Sequence, residues 1–292
     1  MDKVDLHIHS YYSDDGQFSP LELFALAREN ATTILAIADH NNVNSLAEAI
    51  PLALDYGLTL IPAIEIDCCC DTTVLHLLGY NIDYRDEAFT LLDKKSKAED
   101  LKNSEQRLQL VEALGIVVNR KKLEALCPSG IFIGEAMAEV ALEDPSNNDC
   151  ELLQAYRPGG SRSINPYVNF YWDFLSQGKP AYVKNDIPTL AEAIAIIQNS
   201  KGITVLAHPG INVKEDTALL DKIRAAGVAG IEVFSSYHDN RQTQFYLDYA
   251  QQHNLLLSCG SDFHGKTKPA IKIGSTDNPL VQESLIPTLL QK

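Results

Sequence analysis

Six of the eight histidines in this chain stand where a short apolar run stops or turns, and two carboxylates stand with them. His7 and His9 close the run Asp5-Leu6-His7-Ile8-His9, His40 closes Ala36-Ile37-Ala38-Asp39-His40, and Glu65 closes Pro62-Ala63-Ile64-Glu65. His76 lies within a fourth run, His208 closes a fifth, and Asp262 and His264 follow a seventh. Two histidines one residue apart on an extended strand point to the same side, a geometry suited to gripping one ion. Mixed imidazole and carboxylate donors suit zinc, manganese or iron. Any one histidine is read most simply as a hydrogen-bonded core or surface residue; the repetition at strand ends argues for a metal site. In the first loop, Ser13-Asp14-Asp15-Gly16 is either a solvated turn or the source of a further carboxylate reaching back to the ions.

Scattered residues of this kind meet only if the chain folds so that strand ends share a face. The pattern supports that arrangement. Apolar runs at 4–7, 34–38, 59–64, 74–80, 204–207, 230–234 and 255–259 read as strands covered on both faces. Between them, Ser19-Pro20-Leu21-Glu22, Ser45-Leu46-Ala47-Glu48 and Thr189-Leu190-Ala191-Glu192 read as capping boxes that open helices. Alternation of this kind predicts an α/β barrel or a doubly wound sheet, whose active site gathers at the C-terminal strand ends. From about residue 85 to 179 the rhythm changes to helical periodicity at 86–114, 120–126 and 134–142, with loops at 143–149 and 158–162. This stretch reads as a helical subdomain inserted at 85–179 into a barrel made of 1–84 and 180–292. Its aromatic run Tyr167, Phe170, Tyr171, Trp172 and Phe174 is expected to form the insertion's core, or else a stacking wall for a nucleobase.

The 292 residues are 45% hydrophobic, enough for a sizeable core, and carry a formal charge of −15. That sign disfavours coating of a nucleic-acid backbone, but not a mononucleotide whose charge bound cations would meet. No apolar run approaches a membrane span and no leader pattern precedes the first strand, so the expected location is cytoplasmic. The six cysteines, including Cys68-Cys69-Cys70, form no C-x-x-C pair and are expected to be reduced thiols.

Asp5-Leu6-His7-Ile8-His9-Ser10, the Ser-Asp-Asp-Gly turn before Pro20, Asp39-His40, Glu65, His76, Ala207-His208-Pro209 and Gly260-Ser261-Asp262-Phe263-His264-Gly265 together resemble the PHP (polymerase and histidinol phosphatase) superfamily. Within it the chain looks most like the TrpH/YciV-like phosphoesterases, which also insert a helical domain before a segment like Gly178-Lys179-Pro180-Ala181-Tyr182-Val183. The resemblance implies a distorted (β/α)7 barrel holding three divalent ions. It assigns His7, His9, Glu65 and Asp262 to one ion, Asp14, His40 and His264 to a second, and Glu65, His76 and His208 to the third. Counting from His9 selects Asp14; counting back from Gly16 selects Asp15. Where many members carry Arg-Pro-His at the start of an inserted helix, this chain reads Ile133-Gly134-Glu135-Ala136, so substrate identity does not carry over.

The chemistry expected is hydrolysis of a phosphomonoester of a small metabolite or nucleotide, with attack by a hydroxide bridging two ions and inorganic phosphate as product. His238 and Arg162 are the candidates for leaving-group acid and phosphate clamp. Lys184 is a weaker candidate for the anion, Asp39 and Asp67 could orient ligands, and His253 closes a helix. Competing readings are histidinol-phosphate phosphatase, acyl hydrolysis at the same ions, and a non-catalytic metal-binding or regulatory module. Long nucleic acid and membrane are not expected partners, and the oligomeric state is open.

Overall fold

The computed structural model describes residues 3–291. Strand β1 (Lys3–Ile8) pairs in parallel with β2 (Thr32–Ile37), and β2 with the short β3 (Thr59–Leu60). A second sheet holds β4 (Ala63–Cys70), β5 (Thr73–Tyr80), β6 (Ile203–Leu206), β7 (Gly230–Ser235) and β8 (Leu256–Gly260) in that order. The expected third strand is therefore two, and the architecture is a mixed α/β fold. Parallel pairing is not uniform either. The two-residue turn Asp71-Thr72 makes β4 and β5 an antiparallel hairpin, and β5 is also antiparallel to β6. The tandem cysteines end the first arm of this hairpin, and all six cysteines are free thiols.

Backbone bonds tie the two sheets together at the strand ends. His9 N donates to Phe263 O at 2.9 Å, Asp262 N to His7 O at 2.8 Å, and Asn41 N to Glu65 O at 2.7 Å. Helices α1 (Pro20–Glu29) and α2 (Leu46–Tyr56) cover the first sheet, burying Leu23, Phe24, Ala49 and Ala53 on Leu35 and Ile37. Full burial of a side chain such as Phe24 stabilises by ~2–3 kcal/mol. The Ser19 box forms as expected, but Ser45 has helical dihedrals and makes no side-chain cap.

Helix α3 (Glu87–Ala113) leaves the sheets, and its 27 residues span about 40 Å. Its first turns bury Phe89 and Leu92 in the main core; its last bury Leu108 and Val111 in a separate cluster with α4 (Arg120–Leu126) and α5 (Gly134–Glu143). The short α6 (Pro166–Phe170) continues into a π-helical turn, Tyr171–Leu175. The chain returns through α7 (Leu190–Asn199), whose Thr189 box forms, then α8 (Pro209–Asn212) and α9 (Thr217–Ala225). Helix α10 (Asn240–His253) links β7 to β8, and α11 (Pro279–Ser284) and α12 (Ile286–Leu289) follow. Among the described residues no helix is long and apolar enough to cross a membrane.

Candidate metal centre

The sheet geometry explains how residues so far apart in sequence meet. His7, His40, Glu65 and His208 lie at or just beyond the C-terminal ends of parallel strands or, for Glu65, beside one. His76 comes near the start of β5, but β5 runs the other way, so its first residues reach the same edge. Close packing there forbids side chains at two glycines. A Cβ on Gly260 would fall 2.2 Å from both Glu232 Oε1 and His7 Cβ, and one on Gly16 would fall 1.9 Å from Ser10 O. His208 (φ 21°) and Asp262 (φ 55°) sit in left-handed backbone conformations, a cost of ~1–3 kcal/mol each that packed surroundings must offset.

Glu65 is the centre. Its Oε2 lies 3.2 Å from His7 Nε2, 3.3 Å from His9 Nε2 and 3.1 Å from His40 Nδ1. Its Oε1 lies 3.0 Å from His76 Nδ1 and 3.1 Å from His208 Nε2. Asp262 Oδ1 is 3.2 Å from His9 Nε2 and 3.5 Å from His7 Nε2. Four convergent sets follow among the described residues: His7, His9, Glu65 and Asp262; His9, His40 and His264; His40, Asp67 and His76; and Glu65, His76 and His208.

Many of these atoms touch without bonding. Glu65 Oε2, Asp262 Oδ1, His40 Nδ1, His208 Nδ1 and His264 Nε2 are buried with no hydrogen-bond partner. Orphaned buried polar atoms are costly, and so many in one place fit donors aimed at shared points between them. Divalent cations would occupy such points. Burial works to raise the Glu65 carboxyl, but the imidazoles of His7, His40 and His76 hold it well below the usual range. Glu65 is therefore a carboxylate, the form that ligates.

The loop carboxylate that lies against the histidines is Asp15, where Asp14 was expected. Asp15 Oδ2 lies 3.0 Å from His264 Nε2 and 3.9 Å from His40 Nε2. Asp14 also lines the cleft but accepts from Ser129 Oγ at 3.2 Å. The contact between Gly16 and Ser10 draws the loop in at its C-terminal end, so the residue next to the glycine faces the histidines. Asp67 also reaches the centre, 3.5 Å from His40 Nδ1 and 3.4 Å from His76 Nε2.

Two expected chemical residues are elsewhere. His238 Nδ1 donates to Val233 O at 2.8 Å and its Nε2 accepts from Gly210 N at 3.0 Å. Both ring nitrogens are committed to backbone, so it has no proton to offer a substrate; it secures the turn after His208. Arg162 forms a two-pronged pair with Asp173, Nε to Oδ2 at 2.9 Å and Nη2 to Oδ1 at 3.0 Å. It braces the π-helical turn from behind and does not line the cleft. The aromatic run divides: Phe170 and Phe174 enter the hydrophobic cluster shared with α4 and α5, while Tyr171 and Trp172 face the cleft. Lys184 does not line the cleft, whereas Val183 and Asn185 do. His253 ends α10 and packs on Tyr249.

Buried partners hold the histidines in place. Glu232 lies 3.1 Å from His7 Nδ1 and accepts from His208 N at 2.7 Å. With a proton on Nδ1, His7 keeps Nε2 free for a ligand. Asp39 accepts from Ser10 N at 2.8 Å and from Ser13 Oγ at 3.0 Å, and Ser13 Oγ contacts His9 Nδ1 at 3.1 Å. Lys268, buried, sets its ammonium against Asp262 Oδ2. An acid inside the apolar run Gly-Ile-Glu-Val-Phe was a readable sign of Glu232; nothing in the sequence singled out Lys268. The centre opens on a cavity of about 230 Å³ roofed by the helical segment.

A model of the PHP domain matches residues 5–159, more than half of the chain, and the chain belongs to that family. It is 27% identical over 282 residues, 95% of this chain and 93% of the other, to a 3',5'-nucleoside bisphosphate phosphatase of Chromobacterium violaceum. A 5'-3' exoribonuclease of Haemophilus influenzae is 29% identical over 268 residues, 90% of each chain. Among solved structures, an amidohydrolase from Chromobacterium violaceum with bound sulfate superposes with a TM-score of 0.80 at 27% identity, covering 98% of this chain and 95% of that one.

Proposed function

We propose that this PHP-family chain is a metal-dependent phosphoesterase that releases orthophosphate from a small phosphorylated metabolite or nucleotide. The single observation that carries the reading is the cluster of buried, unpartnered donor atoms around Glu65. The relatives support it: one is named for a nucleoside bisphosphate, another for an exoribonuclease. The cavity volume and the charge of −15 favour a small nucleotide or metabolite over long nucleic acid. The two joined sheets belong, in this reading, to a distorted (β/α)7 barrel formed by 1–84 and 180–292, with 85–179 as an inserted roof over the site. The enzyme works in the cytoplasm.

Three divalent ions, manganese, zinc or iron, fit the donor sets. His7, His9, Glu65 and Asp262 would hold one, Asp15, His40 and His264 a second, and Glu65, His76 and His208 the third, with Asp67 beside the last two. Such ions supply a lowered water pKa and neutralise phosphoryl oxygens. The chain's own residues do the rest. Glu232 fixes the His7 ring. Asp39 and Ser13 fix the loop that brings Asp15 in. Lys268 presents a buried positive charge at the cleft.

A substrate panel tests the function. Manganese-loaded protein is expected to release phosphate from p-nitrophenyl phosphate and from nucleoside mono- or bisphosphates, with histidinol phosphate, a short oligoribonucleotide and an acyl ester as comparisons. Turnover of the acyl ester with no phosphate released from any ester would contradict it.

A further inference from the structure

Cleaving a phosphomonoester of an ordinary alcohol leaves an alkoxide that needs a proton, and neither His238 nor Arg162 is placed to give one. Tyr237 does not line the cleft, and the Lys268 ammonium is engaged by Asp262. Glu135 is different. It stands in the first turn of α5, 7% exposed, and lines the same cleft as Asp15, His40, Asp262 and Lys268. Among the described residues its carboxyl makes no ion pair and no hydrogen bond to another side chain. Residue 133, the N-cap, is Ile and supplies no side-chain cap, and the carboxyl's partner on its own helix is the Glu135 backbone N–H.

We propose that Glu135 is a catalytic residue that donates the proton to the leaving oxygen, from the roof of the cleft onto the substrate held at the centre below. The proposal rests on the phosphoesterase reading. In the step, an oxygen from water forms a new bond to phosphorus and its proton passes to solvent. The bond from phosphorus to the leaving oxygen breaks, its electron pair stays on that oxygen, and the Glu135 proton joins it. The alcohol departs and the Glu135 carboxylate regains a proton from solvent.

Electrostatics agree with the geometry. Burial, and then the charge of Asp15, push the Glu135 carboxyl up to about 8, with the hydrogen bond from its own backbone N–H, and then Lys268 and His40, opposing. The other carboxyls at the centre face imidazoles or an ammonium; Glu135 lines the cleft and makes no ion pair among the described residues. A carboxylic acid kept neutral near pH 7 is a usable proton donor.

Leaving groups of different acidity test the assignment. p-Nitrophenol departs without a proton; a sugar or glycerol alkoxide does not. Glu135→Gln keeps the shape and removes the proton. Its kcat on a glycerol phosphate or nucleoside monophosphate is expected to fall about 100-fold, with kcat on p-nitrophenyl phosphate and bound manganese nearly unchanged. Equal losses on both ester types, or no loss on the alkyl ester, overturns the proposal. Should the variant fail to fold by circular dichroism, wild-type protein is assayed across esters graded by leaving-group pKa. A shallow dependence supports the donor and a steep decline overturns it. Absence of p-nitrophenyl phosphate turnover in wild type, by contrast, would be a failure of the phosphoesterase reading itself.

Discussion

Single atoms decide most of the chemistry here, and the sharpest case is the pair Asp14 and Asp15. Their sequence neighbourhoods are nearly identical, so spacing from His9 and spacing from Gly16 gave opposite answers. Three-dimensional packing of Gly16 on Ser10 decides for Asp15. Asp15→Asn is therefore expected to weaken manganese binding at least about tenfold, whereas Asp14→Asn leaves it within about twofold; calorimetric titration of both variants checks this. Glu232 makes a parallel case for residues that never touch an ion. Glu232→Gln removes the negative partner of His7 and is expected to lower metal affinity or kcat/KM by about 10- to 100-fold. A wild-type affinity and rate in that variant would remove Glu232 from the account. The histidines other than His76 were legible because each stood at or just past the end of an apolar run. Lys268 and Glu135 were not, because they come from a loop and a helix whose approach to the centre is a matter of tertiary placement.

At the level of elements, strand direction matters as much as strand position. His76 looked out of place in the middle of an apolar run. The antiparallel hairpin of β4 and β5 turns that position into one at the shared edge. Hydrophobic runs reveal strands but not their direction, so this could not be read from pattern. The same holds for His238, whose place after β7 suggested chemistry while its two ring nitrogens serve the turn at Gly210 and the end of β7. Burial lowers its pKa below the ordinary 6.5, with the bond to Val233 opposing. The unfolded chain then takes up a proton near pH 6.5 while the folded one does not. The stabilisation from His238 is complete above that pH and is lost as pH falls toward the folded value. His238→Gln is expected to destabilise by ~1–3 kcal/mol at pH 7.5, from unpaired backbone groups, and by less at pH 5.5, as read by urea unfolding at both pH values. An equal or larger penalty at the lower pH would contradict this.

Across the whole molecule, two hydrophobic clusters are spanned by α3, and the site lies where the helical segment closes over the sheets. The change from strand rhythm to helical rhythm near residue 85 was plain in the sequence, as was the return of strands after residue 200. How the roof sits over the strand ends was not, since few residues there carry a pattern that names their neighbours. Without cations the gathered carboxylates and imidazoles leave buried donor atoms unpartnered, so ion binding and folding are linked. Manganese at about 100 times its dissociation constant is expected to stabilise by ~2.7 kcal/mol for one site, raising the melting temperature over chelator-treated protein.

The most direct test titrates manganese into fully stripped protein while following, in one sample, ions bound per chain and phosphate released from p-nitrophenyl phosphate. We expect no phosphate release at zero metal, activity rising with occupancy, and both lost in Glu65→Gln, whose two oxygens touch five of the six clustered histidines. Undiminished hydrolysis in the stripped protein, or full metal binding and activity in Glu65→Gln, would contradict the account.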